Sequence, residues 1–259
     1  MKSVPRPTAG IKSFDINACC GLLGSCVPAA SPIGQSEEHR PSFCTRALVR
    51  QGKSLYKFGE PIRSIYTIIS GTFKACAVTQ KGDEQVLGFY MRGAILGLDA
   101  MASGHYAASA IAMEDSRVCM ISAQCLEQHC AQDKSVAKRI YAALAREIDA
   151  RHRMILTLGR KTAEERVASF LMELAATYLA LEYSTSDINL VMKREEIGSY
   201  LGISLETVSR ILSSFHDRQL LAVNQKHVCI LDIRKLARLT GESIGMFRTP
   251  LAIRSTARN

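Results

Sequence analysis

The stretch from Lys193 to Ile230 restricts what this chain can become more than any other segment. Ile197, Tyr200 and Leu201 repeat at the three- and four-residue spacing of a helix with one buried face. Gly202-Ile203-Ser204 interrupts that period: the glycine permits a left-handed residue and Ser204 can cap a following helix. Leu205, Val208, Ile211, Leu212 and Phe215 then resume it, with Glu206, Thr207, Ser209, Arg210 and Ser213 on the opposite side. Leu220–Val223, the polar Asn224-Gln225-Lys226 and His227–Ile230 read as a hairpin. Helix, glycine turn, polar-tipped helix and hairpin in this order predict a winged helix-turn-helix.

Such a unit reads duplex DNA through the first turns of its second helix, and the residue types suit that task. Arg210 can grip guanine O6 and N7 with two prongs, Glu206 can accept from cytosine N4, and Thr207 or Ser209 can serve a base edge or a phosphate.

The segment Leu205-Glu206-Thr207-Val208-Ser209-Arg210 resembles the reading helix of the FNR branch of the CRP–FNR transcription regulators. The likeness runs from about Cys20 to Thr240 and includes Gly82-Asp83-Glu84-Gln85, Ser103-Gly104-His105, Val118-Cys119 and Ala163-Glu164-Glu165-Arg166. It implies a homodimer on a palindromic site of the TTGAT…ATCAA kind, with Glu206, Ser209 and Arg210 reading each half. It also implies RNA polymerase as a partner, touched by loops such as Lys81-Gly82-Asp83-Glu84.

The predicted architecture is α+β. Five of the seven prolines fall in the first 41 residues, which makes 1–45 an irregular, flexible, cysteine-bearing arm. Residues 46–133 carry short β-branched and aromatic runs, such as Ile62–Ile69, Thr72–Val78, Gln85–Tyr90 and Ser116–Ile121, between glycine turns. They predict an antiparallel barrel or jelly roll, which the resemblance makes a cyclic-nucleotide-binding-like sensor barrel. Residues 134–159 form a long helix whose stripe of Ile140, Leu144, Ile148, Arg151 and Ile155 suits a dimerisation seam. Arg151 is unusual on that stripe, and two such charges near a twofold axis repel. Residues 160–240 are the DNA-binding domain and 241–259 a C-terminal tail.

Net charge is weak support. The chain carries +9, but from Arg160 onward there are 14 basic and 11 acidic residues, so only +3 falls on the DNA-binding part. The absence of a long apolar run or leader pattern predicts a cytoplasmic protein without a membrane span.

Nine cysteines without an export signal suggest metal or redox chemistry rather than a disulfide framework. Cys19, Cys20 and Cys26 sit close together in the arm, and Cys119 ends a predicted strand. In the family this resembles, three arm cysteines and one barrel cysteine hold a 4Fe–4S cluster whose destruction by oxygen releases the dimer from DNA. Cys20-x5-Cys26-Val-Pro and Val118-Cys119 match that pattern. The family's remaining arm position is Asn17 here, with Cys19 beside it instead and Cys44 as a spare candidate. The ligand set Cys19, Cys20, Cys26 and Cys119 therefore stands beside a cluster-free regulator that is constitutive or answers to thiol redox state or a small ligand. Cys76, Cys125, Cys130 and Cys229 read as small buried hydrophobes. Residues 97–110 contain no arginine to meet a cyclic nucleotide's phosphate, and no nucleophile–base pair, P-loop or dinucleotide fingerprint suggests an enzyme.

Overall fold

The computed structural model describes residues 12–14, 44–78, 82, 84–181, 183–184 and 187–241. The chain divides into two compact units, 1–145 and 146–259.

In the first unit the elements are β1 (Lys12–Phe14), β2 (Cys44–Val49), β3 (Ser54–Tyr56), β4 (Ser64–Ser70), β5 (Phe73–Val78), β6 (Glu84–Tyr90), β7 (Ile95–Leu96), α1 (Ala100–Ser103), β8 (Ser109–Ala112), β9 (Ser116–Ser122) and α2 (Ala123–Gln132). They build two antiparallel sheets, ordered β1-β2-β9-β4-β7 and β3-β8-β5-β6. This is the jelly-roll barrel expected from the glycine-punctuated short runs. Alternation along each strand gives the first sheet two buried faces. Ala47, Val49, Tyr66, Ile68 and Val118 join Phe73 from β5 and the tyrosines Tyr56 and Tyr106 in one core. The ring centroids of Tyr56 and Tyr106 stack 3.9 Å apart, and Tyr106 Oη donates to the Ser64 carbonyl at 2.7 Å, so aromatic rings occupy the middle of that core. On the other face, Ile65, Cys119 and Ile121 pack with Leu126 of α2 and with Val136 and Ile140 of the next helix.

That helix, α3 (Lys134–Arg160), crosses the boundary between the units, which falls between Ala145 and Arg146. The second unit continues with α4 (Ala163–Ala180), β10 (Asp187–Asn189), α5 (Arg194–Leu201), α6 (Leu205–Asp217), β11 (Leu221–Asn224), β12 (His227–Ile230) and α7 (Ile233–Leu239). Thr162 caps α4 in a reciprocal box with Glu165, whose carboxyl is held below its ordinary range by the Thr162 backbone N–H and hydroxyl. Val167, Phe170, Leu171 and Leu174 of α4 are buried, and the helix lies against α6 and α7.

Three elements differ from the sequence reading. Lys12–Phe14, expected to be irregular, pairs with β2 as an edge strand. The wing, expected to be a two-stranded hairpin, gains β10 as a third strand and has the order β10-β12-β11. The three residues of β10 are too few to show an alternating pattern. Helix α2 follows β9 without a break, capped by Ser122, whose hydroxyl accepts from the Cys125 N–H at 3.1 Å. Among the described residues no helix is long and apolar enough to cross a membrane.

Candidate DNA interface and cysteine site

Helix α5 begins where the Lys193 N–H donates to Glu196 Oε2 at 2.8 Å. It ends at Gly202, whose φ of 63° is the left-handed conformation that glycine adopts without strain. The turn closes on Gly198: the Ile203 N–H donates to its carbonyl at 3.0 Å, and a Cβ on Gly198 would stand 2.7 Å from the Ile203 oxygen. Only a glycine lets the turn fold back so closely. Ser204 then caps α6 by accepting from the Thr207 N–H at 3.2 Å.

On α6 the two faces separate cleanly. Val208, Ile211, Leu212 and Phe215 are buried, whereas Glu206, Ser209, Arg210 and Ser213 are exposed. Leu205, expected on the apolar side, is 45% exposed. Thr207 is half-buried and its hydroxyl lies 3.1 Å from Ser204 Oγ, so it serves the cap before any base. The Glu206 carboxyl is held below its ordinary range by its own backbone N–H and the Ser204 hydroxyl. A charged acceptor, a hydroxyl and a guanidinium thus stand exposed on the first two turns, the acceptor already held in place by the helix start.

Arg166 supports this surface, a role that local pattern did not reveal. Its guanidinium donates to the Leu201 carbonyl at 3.0 Å, the Leu158 carbonyl at 2.8 Å and the Lys161 carbonyl at 3.0 Å. It therefore satisfies the last carbonyls of α3 and α5 together. Arg194 donates to the Gln225 carbonyl at 3.0 Å, joining the start of α5 to the tip of the hairpin.

The stripe on α3 divides. Ile140 is 4% exposed and Leu144 packs beside it on the barrel's own outer face, so Ile140 is not available to a second chain. Tyr141, Ile148 and Ile155 are 69%, 56% and 66% exposed, and they recur at intervals of seven residues. Arg151 bonds to Glu147 one turn earlier, with Nε at 3.0 Å from Oε1.

Cys119 is fully buried and disulfide-bonded, whereas Cys76, Cys125, Cys130 and Cys229 take part in no disulfide. Cys76 is buried as expected; Cys125, Cys130 and Cys229 are only partly so. Burial, with Glu127 nearby, raises the Cys130 thiol pKa, which makes it a poor thiolate. Cys19, Cys20 and Cys26 lie outside the described residues, as do Lys81 and Asp83 of the expected polymerase loop. Among the described residues no three His, Cys, Asp or Glu side chains group to hold a metal. In register, Phe14, Arg46, Cys119 and Thr67 form one row across β1, β2, β9 and β4. Arg46 Nε and Thr67 Oγ1, on either side of Cys119, are buried without a hydrogen-bond partner.

Comparison with known proteins agrees with this geometry. Residues 165–239 match the Crp-like helix-turn-helix domain, and residues 47–133 match the cyclic nucleotide-binding domain. The chain is 37% identical over 223 residues to the transcriptional regulatory protein Btr of Bordetella pertussis, covering 86% of this chain and 92% of that one. It is 33% identical over 224 residues to the fumarate and nitrate reduction regulatory protein of Escherichia coli K12, covering 86% and 90%.

The chain belongs to the CRP–FNR family.

As a member of the CRP–FNR family it is a DNA-binding transcription regulator. The structure of FixK2 from Bradyrhizobium japonicum is similar to it, with a TM-score of 0.71 and 30% identity over 77% of this chain and 98% of that one. The nucleotide-binding fold is thus shared with the CRP–FNR regulators, while in this chain the stacked pair Tyr56 and Tyr106 lies in the barrel core.

Proposed function

We propose that this regulator binds a palindromic operator as a homodimer and that its grip depends on oxygen or redox state through thiolates at Cys19, Cys20, Cys26 and Cys119. The observation that carries the DNA-reading part is the exposed polar face on the first turns of α6. Glu206, Ser209 and Arg210 lead toward the bases, and Thr207 holds the helix start in shape. The exposed heptad of Tyr141, Ile148 and Ile155 supplies the seam, with Arg151 and Leu158 at the intervening positions. Expected partners are duplex DNA, a second copy of the chain and RNA polymerase. Such a protein works in the cytoplasm and needs no enzymatic step.

The cysteine part rests on the row through Cys119. β1 ends at Phe14, two strands from Cys119, a separation of roughly 10 Å. Cys19 follows Phe14 by five residues, which span up to roughly 17 Å when extended, so the chain length allows Cys19 and Cys20 to meet Cys119. The disulfide at Cys119 puts another cysteine sulfur at bonding distance. The unpartnered donors on both sides also suit a site that is meant to hold negatively charged sulfur. Four thiolates from Cys19, Cys20, Cys26 and Cys119 would hold a 4Fe–4S cluster, which when bound supplies an oxygen-labile cross-link between arm and barrel. The chain's own part is to bring arm and barrel sulfurs together and to seal Cys119 under α2 and α3.

Footprinting in air and under nitrogen tests this reading. Wild-type protein is expected to protect an inverted-repeat operator only without oxygen. Cys119→Ser should bind poorly in both conditions while keeping its circular dichroism. Equal protection by wild type in both gases would leave a cluster-free regulator.

A further inference from the structure

Thr67 and Arg46 stand directly opposite Cys119 on its two neighbouring strands. Residues opposite one another in an antiparallel ladder project from the same face, so the three side chains share the outer face of the barrel. Thr67 is 7% exposed, and its Oγ1 has no hydrogen-bond partner. The Nε of Arg46 is likewise buried and unpartnered. Leaving a buried donor unpaired is costly, and the residue that both donors flank in register is Cys119. A disulfide sulfur is a weak acceptor, whereas a thiolate is a strong one beside a guanidinium and a hydroxyl.

We infer that Thr67 Oγ1–H and Arg46 Nε–H are positioning donors to the Cys119 sulfur in its thiolate, metal-bearing state, and that they slow loss of iron from this corner of the site. This rests on the cysteine reading given above. In the disulfide form the donors are idle. In the thiolate form both are satisfied, so the sequence carries a local cost in one state that is relieved in the other.

The test uses full-length protein prepared without oxygen. Iron release to a ferrous-iron chelator is followed for wild type, Thr67→Val, Thr67→Ser and Arg46→Lys, beside thermal melting of the iron-free forms. Thr67→Val should release iron about fivefold faster, the kinetic equivalent of one ordinary hydrogen bond, and Thr67→Ser should restore the wild-type rate. Arg46→Lys keeps the charge but lacks the Nε donor, and should also release iron faster. Iron-free Thr67→Val should melt no lower than wild type, because an unpaired hydroxyl has been replaced by a methyl of the same shape. Loaded wild type with an unchanged rate in Thr67→Val would overturn this inference alone. Lower melting of iron-free Thr67→Val would overturn it too, by showing that the hydroxyl has a protein partner. Iron-free wild type would overturn it together with the cysteine reading.

Discussion

Arg166 donates from Nη1 to the carbonyl oxygen of Leu201 at 3.0 Å, across 35 residues of sequence. The same guanidinium serves Leu158 and Lys161, so one side chain closes α3 and α5 together. Charge-assisted hydrogen bonds of this kind contribute about 1.5–3 kcal/mol each. Arg166→Ala should lower the unfolding free energy of the DNA-binding unit by about 3 kcal/mol, and Arg166→Lys, with no planar fork, should recover only part of it. Denaturant unfolding followed by circular dichroism checks both.

Gly198→Ala is expected to be more damaging than its size suggests. The added methyl meets a backbone oxygen that cannot swing aside, and overpacking of this kind costs about 1–3 kcal/mol. The turn, and with it the angle of α6, would shift. Operator affinity should therefore fall more than stability does, as measured by titrating labelled duplex alongside thermal melting.

Arg210→Ala should weaken specific binding by about 1–3 kcal/mol and relax preference at one guanine, while nonspecific binding changes little. Selection from a randomised operator reports the preference directly; an unaltered consensus would deny Arg210 its role.

Glu206 carries a pH expectation. Its folded-state pKa lies below the ordinary value of 4.5, so any stability it contributes is present above that value and is lost as pH falls through the lower, folded one. The base preference assigned to Glu206 should accordingly stay constant as pH is lowered to about 5, and fade only under more acid conditions. Operator selection at two pH values tests it.

The dimer seam gives opposite expectations for neighbouring residues. Ile148→Glu should weaken self-association about tenfold or more, which is about 1.4 kcal/mol, because the charge enters an apolar contact. Arg151→Leu should strengthen it by putting an apolar side chain on the seam where Arg151 and its Glu147 partner now stand. Sedimentation equilibrium distinguishes the two.

Much of the fold was legible because its signals are local. The period of Val208, Ile211, Leu212 and Phe215, the left-handed Gly202 and the Ser204 cap all act within a few residues, and the helix-turn-helix appears where they place it. The barrel strands were legible from short β-branched and aromatic runs between glycine turns. Ile140 went differently because one apolar stripe served two surfaces: its first turns face the barrel and its later ones are open. No helical period can tell which neighbour covers which turn. The row of Arg46, Cys119 and Thr67 was invisible for a similar reason, since strand order brings together residues that lie 52 to 73 positions apart. Arg166 stood inside a recognisable block, but its carbonyl partners are set by the packing of three helices.

The most direct test of the account is the iron and acid-labile sulfide content of protein purified without oxygen, measured beside its operator footprint. The account expects about four of each per chain, lost on exposure to air together with the footprint. Protein that contains no iron, yet dimerises and protects the same operator in air and under nitrogen, would contradict it.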